Sequence, residues 1–320
     1  APGTEMRLGP GRYAGGTYLD DLAGRADAPI WIGGAPGTGP GAGGADWPQA
    51  PILAGAGEGL HLTRAKFVVV HDLVVEGASG NGVNADDGGN VAADVTAHDL
   101  VFERLSIRDI GGNGNQDCLK LSGLRSVVVR DSVFRRCGGG GSGSAIDMVG
   151  VHAAVVARSD FADVSGNAVQ AKGGSADIEI RANRMVRAGQ RAVNMGGSTG
   201  FAFFRPPLDP NAPNAEARDV WVVANWIEGS DAAVAFVGCV DCLAAHNTIV
   251  DPGRWVLRIL QETRTGNGYT FEPARDGVFA NNVVVFQAGV LRTAVNVGDA
   301  TAPETFTFRH NLWFARDDPA

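Results

Sequence analysis

Residues 167–197 read NAVQAKGGSADIEIRANRMVRAGQRAVNMGG. An apolar-polar-apolar step, Val169-Gln170-Ala171, breaks at Lys172 and two glycines, and a second alternating run, DIEIRAN, closes on Asn183. A third short apolar run, Arg184-Met185-Val186, follows, and the first step then returns as Val193-Asn194-Met195. Alternation of period two marks half-buried strands, and a recurring set of such strands marks a solenoid. The first step recurs outward in both directions. It reads LHLTR from Leu60, VNADD from Val83, LKLSG from Leu119 and IDMVG from Ile146, then VAFVG from Val234, LRILQ from Leu257 and VNVGD from Val295. The second run keeps pace with it, as FVVVHD, DLVFER, SVVVRD, AVVARS, DVWVVAN, CLAAHN, GVFANN and TFTFRHN.

These second runs end on a column read as Asp72, Leu105, Ser132, Ser159, Asn183, Asn225, Asn247, Asn282 and Asn311. Asparagine suits such a column because it tolerates left-handed dihedrals and its amide can bond to its own copy one coil away. The expected architecture is all-β: a single-stranded right-handed parallel β-helix of about nine coils, each with three short strands. Successive coils should pair through the backbone at about 4.8 Å. Alternation then points Leu60, Val83, Leu119, Ile146, Val169, Val193, Val234, Leu257 and Val295 inward, together with the residues two further on. None of these positions is polar. Residues 1–58, rich in Gly and Pro around GRYAGGTYLDDLAG and APIWIGG, are read as a lead-in and N-terminal cap, and 59–320 as one continuous β-helix.

Composition supports this. Glycine supplies 46 of 320 residues, about twice its usual share, while hydrophobic residues still reach 44% and can fill a core. No apolar run is long enough for a membrane span. The chain begins at Ala1 without an initiator Met, as a sequence does once an export signal is removed, so a secreted, periplasmic or cell-surface monomer is expected. A formal net charge of −8 argues against nucleic acid as a partner. An acidic polysaccharide would also be repelled on average, so binding one demands a local basic patch. Of the four cysteines, Cys239 and Cys242 form a lone C-V-D-C, open to a disulfide, free thiols or half a zinc site, and Cys118 and Cys137 stand apart.

Function must come from the outward side chains. The first outward row is His61, Asn84, Lys120, Asp147, Gln170, Asn194, Ala235, Arg258 and Asn296, and the next includes Asp86, Ser122, Val149 and Lys172. Lysine, acid and amide concentrate on the middle coils, where a polymer could lie across them. Two long insertions, GSTGFAFFRPPLDPNAPNAEA and QETRTGNGYTFEPA, leave the ends of the Asn194 and Arg258 strands. They carry Phe203, Phe204, Arg205, Tyr269 and Phe271, the side chains a wall touching sugar rings and carboxylates would use. The Gly-rich turns IGGNGNQD and CGGGGSGS form the opposite edge.

Across nearly its whole length this pattern resembles the pectate-lyase-like superfamily of right-handed β-helix proteins, which includes lyases, hydrolases, esterases, epimerases and phage tailspikes. NAVQAKGGS resembles the Lys-bearing strand ends of polysaccharide lyases on this fold, including the chondroitinase B and alginate lyase group. That resemblance implies Lys172 as a catalytic base. The same group places an Arg on the following coil, where this chain has VNMGGS.

The reading is thus a polysaccharide lyase acting on an acidic polysaccharide or oligosaccharide. Lys172 would be the base, Lys120 and Asp147 its catalytic neighbours, and Gln170, Asn194, Arg205, Arg258, Phe203, Phe204 and Tyr269 would contact substrate. Asp86 and Asp117, with Asp87 and Asp147, are candidate oxygen ligands for Ca²⁺. Two rivals stand beside it. A glycoside hydrolase would use Asp117 and Asp147 as paired carboxylates, and a binding solenoid would need the groove but no base. The glycines of QRAVNMGGSTG precede no helix that could receive a phosphate, and the histidines are scattered over different registers.

Overall fold

The computed structural model describes residues 1–38, 49–89, 97–112 and 114–318. Part of the lead-in segment (39–48) and Asn113 of the first Gly-rich turn lie outside the described residues. The chain winds as a right-handed parallel β-helix, and strands pair in parallel from coil to coil. Leu119–Ser122 lies on Ile146–Val149 with Lys120 opposite Asp147, and Asp147 stands in turn opposite Gln170 and Gln170 opposite Asn194. The predicted inward rows of the middle coils are fully enclosed: Leu119, Ile146, Val169, Val193, Val234 and Leu257 are all at 0% exposure.

Among the described residues the sheet built from these first strands has ten members, one more than the sequence reading found. The addition is Thr17–Asp20, which pairs with Leu60–Thr63. Glu5–Arg7, Gly11–Ala14, Ile30–Gly33 and Pro51–Ala54 likewise stack in register under the Lys66–Glu76 strand. The segment expected to cover the core therefore contributes strands to the solenoid itself.

The asparagine column is a continuous ladder. The backbone N–H groups of Asn183, Asn225, Asn247 and Asn282 each donate to the side-chain oxygen of the next copy at 2.9–3.0 Å. Each side-chain amide also donates to a backbone carbonyl of the coil before, as Asn225 Nδ2 does to Ile180 O at 2.9 Å. Ser159 and Ser132 continue the column towards the N-terminus through their hydroxyls. Two details of the sequence reading need correction. Leu73, not Asp72, occupies this column, because Leu73 stands opposite Leu105. The left-handed dihedral belongs to the residue before each rung, at Asp72, Arg104, Asp131, Arg158, Ala182, Ala224, His246, Asn281 and His310. The asparagine amide seals the corner that its predecessor turns.

Both cysteine pairs are bonded. Cys118–Cys137 closes one coil across a separation of 19 residues, and Cys239–Cys242 closes the C-V-D-C step.

Replacing Asn225 by Ala should remove the acceptor of the Asn183 backbone N–H and the donor to the carbonyl of Ile180, both buried. The expected cost is about 3 kcal/mol or more, read as a fall in the urea midpoint. An unchanged midpoint would show that the ladder contributes little.

Candidate functional site

Strand register brings Lys120, Asp147 and Lys172 together from three successive coils. Asp147 is 1% exposed, and its Oδ2 is bonded to Lys120 Nζ and lies 3.3 Å from Lys172 Nζ. Lys120 Nζ is also 3.4 Å from Asp117 Oδ2. Burial works against the ionised form of Asp147, but Lys120 and Lys172 outweigh it and hold the carboxyl below its ordinary range. Asp117 goes the other way: burial and then the Asp147 charge push its carboxyl up to about 7, despite the pull of Lys120. Lys120 resists its own burial because both acids favour its charge, and it is held above the ordinary lysine range. Lys120 is thus a locked cation. Lys172 meets the same acid from the following coil.

Two cavities meet at Lys172. One, of about 400 Å³, has Lys120 and Lys172 on its floor and Thr199, Phe203 and Arg205 on its wall. The other, of about 340 Å³, is lined by Gln170, Asn194, Asn167, Arg191 and Glu262 as well as Lys172. Asn115 of the first Gly-rich turn and Ser198 border both, and Ser142 of the second turn borders the latter. The groove expected between the insertions and these turns is therefore present, although its floor is largely covered. Asp147 and Asn194 are each at 1% exposure and Gln170 at 9%.

The wall is built from the first long insertion and tied down by Glu216, which is fully buried. Its carboxylate accepts from Thr199 N at 2.8 Å, Thr199 Oγ1 at 2.7 Å and Gly173 N at 2.9 Å, and also from the Thr263 hydroxyl. One acid thus joins both insertions to the turn that follows Lys172. The insertion then passes so close to the coils that a Cβ at Gly150 would come within 2.4 Å of Arg205 Cβ, and one at Gly174 within 2.7 Å of Arg205 O. Both glycines also hold left-handed dihedrals, so the sequence G at each is required twice over.

The remaining expected contacts divide. Phe203 is 63% exposed at the rim and lines the larger cavity. Phe204 does not: it is 2% exposed, packed 5.7 Å from Phe271. Tyr269 packs edge-on against Phe201 at 5.7 Å, so these two rings hold the insertions together and line neither cavity described here. Arg205 lines the larger cavity with its guanidinium engaged by Asp87 at 2.7 Å. Arg258 lies beyond the second cavity, with its guanidinium over the Trp255 ring at 4.1 Å and its Nε donating to Asn296 at 2.9 Å.

Of the carboxylates proposed for calcium, Asp117 and Asp147 meet, but around Lys120 Nζ. Asp86 stands opposite Ser122 and is bonded to His61 at 2.6 Å and to Gly88 N at 2.8 Å. Asp117 lies at the other end of that strand step, its N–H donating to Asn81, and Asp147 faces two ammoniums. Among the described residues no three His, Cys, Asp or Glu side chains form a group that could hold a metal.

The reading from sequence missed Arg191, Glu216 and Glu262. Arg191 sits at the strand's first position, outside the alternating core of the repeat, and donates to Asn194 Oδ1 at 3.0 Å. Glu216 closes an insertion whose course no period betrays.

No protein-family model and no curated protein sequence matches the chain. Among solved structures, an alginate lyase from Paenibacillus sp. is similar with a TM-score of 0.64 at 15% identity, covering 94% of this chain and 93% of that one. The A-module of mannuronan C-5 epimerase from Azotobacter vinelandii gives 0.57 at 15% identity over 99% of this chain and 88% of the other. A lacto-N-biosidase from Eubacterium ramulus gives 0.51 at 14% identity, covering 98% of this chain and 62% of that one. At these identities the likeness is one of fold.

The raised pKa of Asp117 has a definite sign in stability. The folded protein keeps this proton up to about pH 7, whereas an unfolded aspartate releases it near the ordinary value of 3.8. The contribution of the buried acid is therefore present at low pH and lost as pH rises between those values. Asp117→Asn should gain stability relative to the parent progressively from pH 4.5 to 7.5 in urea titrations. Parallel pH profiles would contradict the assignment.

Proposed function

We propose that this chain is a polysaccharide lyase that cleaves a uronic-acid polymer by β-elimination, with Lys172 as the base. The observation that carries this reading is the position of Lys172 at the junction of two cavities, its Nζ 3.3 Å from a buried, ionised Asp147. A sugar spanning the junction would present its C5–H to that nitrogen.

In the step proposed, the neutral amine of Lys172 takes the C5 proton. The C5–H electrons form the C4–C5 double bond, and the C4–O bond breaks. The departing oxygen takes a proton, which the newly formed Lys172 ammonium can return. The adjacent carboxylate of the sugar must be neutralised for the C5 proton to be acidic enough, and the cationic lining supplies the field for this. Lys120 keeps Asp147 paired while Lys172 changes protonation, so the buried acid never stands alone. The alginate lyase and the mannuronan C-5 epimerase that share the fold act, by their names, on uronates, which agrees with this substrate class.

One observation favours the hydrolase reading: Asp117 and Asp147 have their pKa values driven apart, as an acid and a base would. Both carboxyls, however, are 1% exposed and neither lines the two cavities, so a sugar in them would meet Lys172 first.

Lys172→Ala should lower formation of unsaturated uronate, followed by its ultraviolet absorbance, by about 10² to 10⁴-fold. Because Lys120 still neutralises Asp147, circular dichroism should be unchanged. Reducing ends without unsaturated product would replace the reading with hydrolysis. Solvent exchange at C5 without cleavage would replace it with epimerisation, and binding without turnover would leave a carbohydrate-binding solenoid.

A further inference from the structure

The protein is acidic overall, and its arginines are in general spoken for. Along the corners of the helix Arg104, Arg136, Arg158 and Arg187 each take an aspartate from the neighbouring coil: Asp72, Asp109, Asp131 and Asp163. Arg254 and Arg258 are among the described arginines that do not, with Arg125, Arg264, Arg292 and Arg309. Neither forms an ion pair with any described carboxylate; both guanidinium groups lie instead over one indole ring, that of Trp255, at 4.2 Å and 4.1 Å. Stacking of this kind fixes a guanidinium in place through its face rather than its N–H edges, although Nε of Arg258 also donates to Asn296.

Both arginines lie on the coils that follow the second cavity. Arg258 stands in the same outward row as Asn194 of the second cavity, with Ala235 between them. The methyl group of Ala235 is itself buried, packed with Val237 and Leu260. Arg191, from the second cavity, shares a register with Trp255 two coils further on, and its only described carboxylate partner is the half-exposed Glu262. Burial, and after it the charge of Arg191, disfavour the Arg258 cation, while Glu262 and Asp231 act in its favour and Arg254 against it.

We propose that Arg254, Trp255 and Arg258, with Arg191, form a distal subsite that binds a carboxylate of a polyuronate chain whose reacting sugar lies at Lys172. The inference rests on the uronate reading and adds to it. Three coil steps separate Lys172 from Arg258, about 14 Å along the axis. A disaccharide held at Lys172 can meet Arg191 but leaves Arg254 and Arg258 empty, and only a longer chain engages them. The subsite therefore sets a preference for polymers over short oligomers, and the attraction is ionic and weakened by salt.

The test is calorimetric binding of a uronate disaccharide and of a long polyuronate to the Lys172→Ala protein, which leaves the ligand intact. Arg254→Gln and the pair Arg254→Gln/Arg258→Gln are then added. Arg254 is exposed, so the single variant keeps the fold, and circular dichroism checks the pair. The pair should weaken the long chain tenfold or more, flatten its salt dependence and leave the disaccharide unchanged, with the single variant in between. Unchanged long-chain affinity, or an equal loss for both lengths, would overturn the subsite while the lyase reading stood. Failure of the lyase reading shows separately, as absence of unsaturated product from the parent protein. If neither ligand binds the Lys172→Ala protein, the subsite falls together with the substrate class.

Discussion

Backbone pairing between coils is the constraint on which everything else in this molecule rests. Each strand finds its hydrogen-bond partners in the turn of chain before and after it, so a side chain stands over its counterpart at about 4.8 Å. The arrangement forces like positions together. Apolar rows become a core without effort, but polar residues in a row must be able to satisfy one another. Asparagine solves this because it carries a donor and an acceptor on one short side chain, and the five-membered amide column from Asn183 to Asn311 leaves no rung unpaired.

The same constraint creates the site. Had Lys120, Asp147 and Lys172 been lysines throughout, the row would repel itself. Alternating the sign places one buried carboxylate between two ammoniums and gives each lysine a different role. Lys120, flanked by Asp117 as well, is fixed as a cation, whereas Lys172 borders both cavities. The insertions finish the pocket through Glu216, whose carboxylate gathers Thr199, Thr263 and the Gly173 amide. The position of Lys172 is thereby set from below by the strand and from the side by the turn that follows it.

Most of the fold was legible because alternation and coil length are both printed in the sequence. The Thr17–Asp20 strand was not, since three of its four residues are exposed and only Leu19 meets the core. The slip at Asp72 has a similar cause. That coil has no asparagine to mark the rung, and the polar residue is the left-handed one before it. In the site, Lys120, Asp147, Gln170, Lys172 and Asn194 were found because strand parity fixes which residues point outward. Phe204 and Tyr269 were misjudged because parity says nothing about a loop. An aromatic ring there is as apt to pack on its neighbour as to face a ligand, and Phe271 takes Phe204 inward. Arg191 and Glu216 owe their positions to contacts across loops and lay beyond any periodic argument.

The sealed asparagine corner also bears on how such a chain can change over generations. Extra residues inserted there would pull an amide out of its column and orphan partners on two sides, so that corner is closed to length variation. The corner after the first strand has no such seal, and both long insertions leave from it. Novelty is thus channelled to the rim of the groove, where a new loop can be grafted while the scaffold beneath keeps its register. A lineage built this way can exchange one ligand for another by rewriting a border, with the interior left as it was.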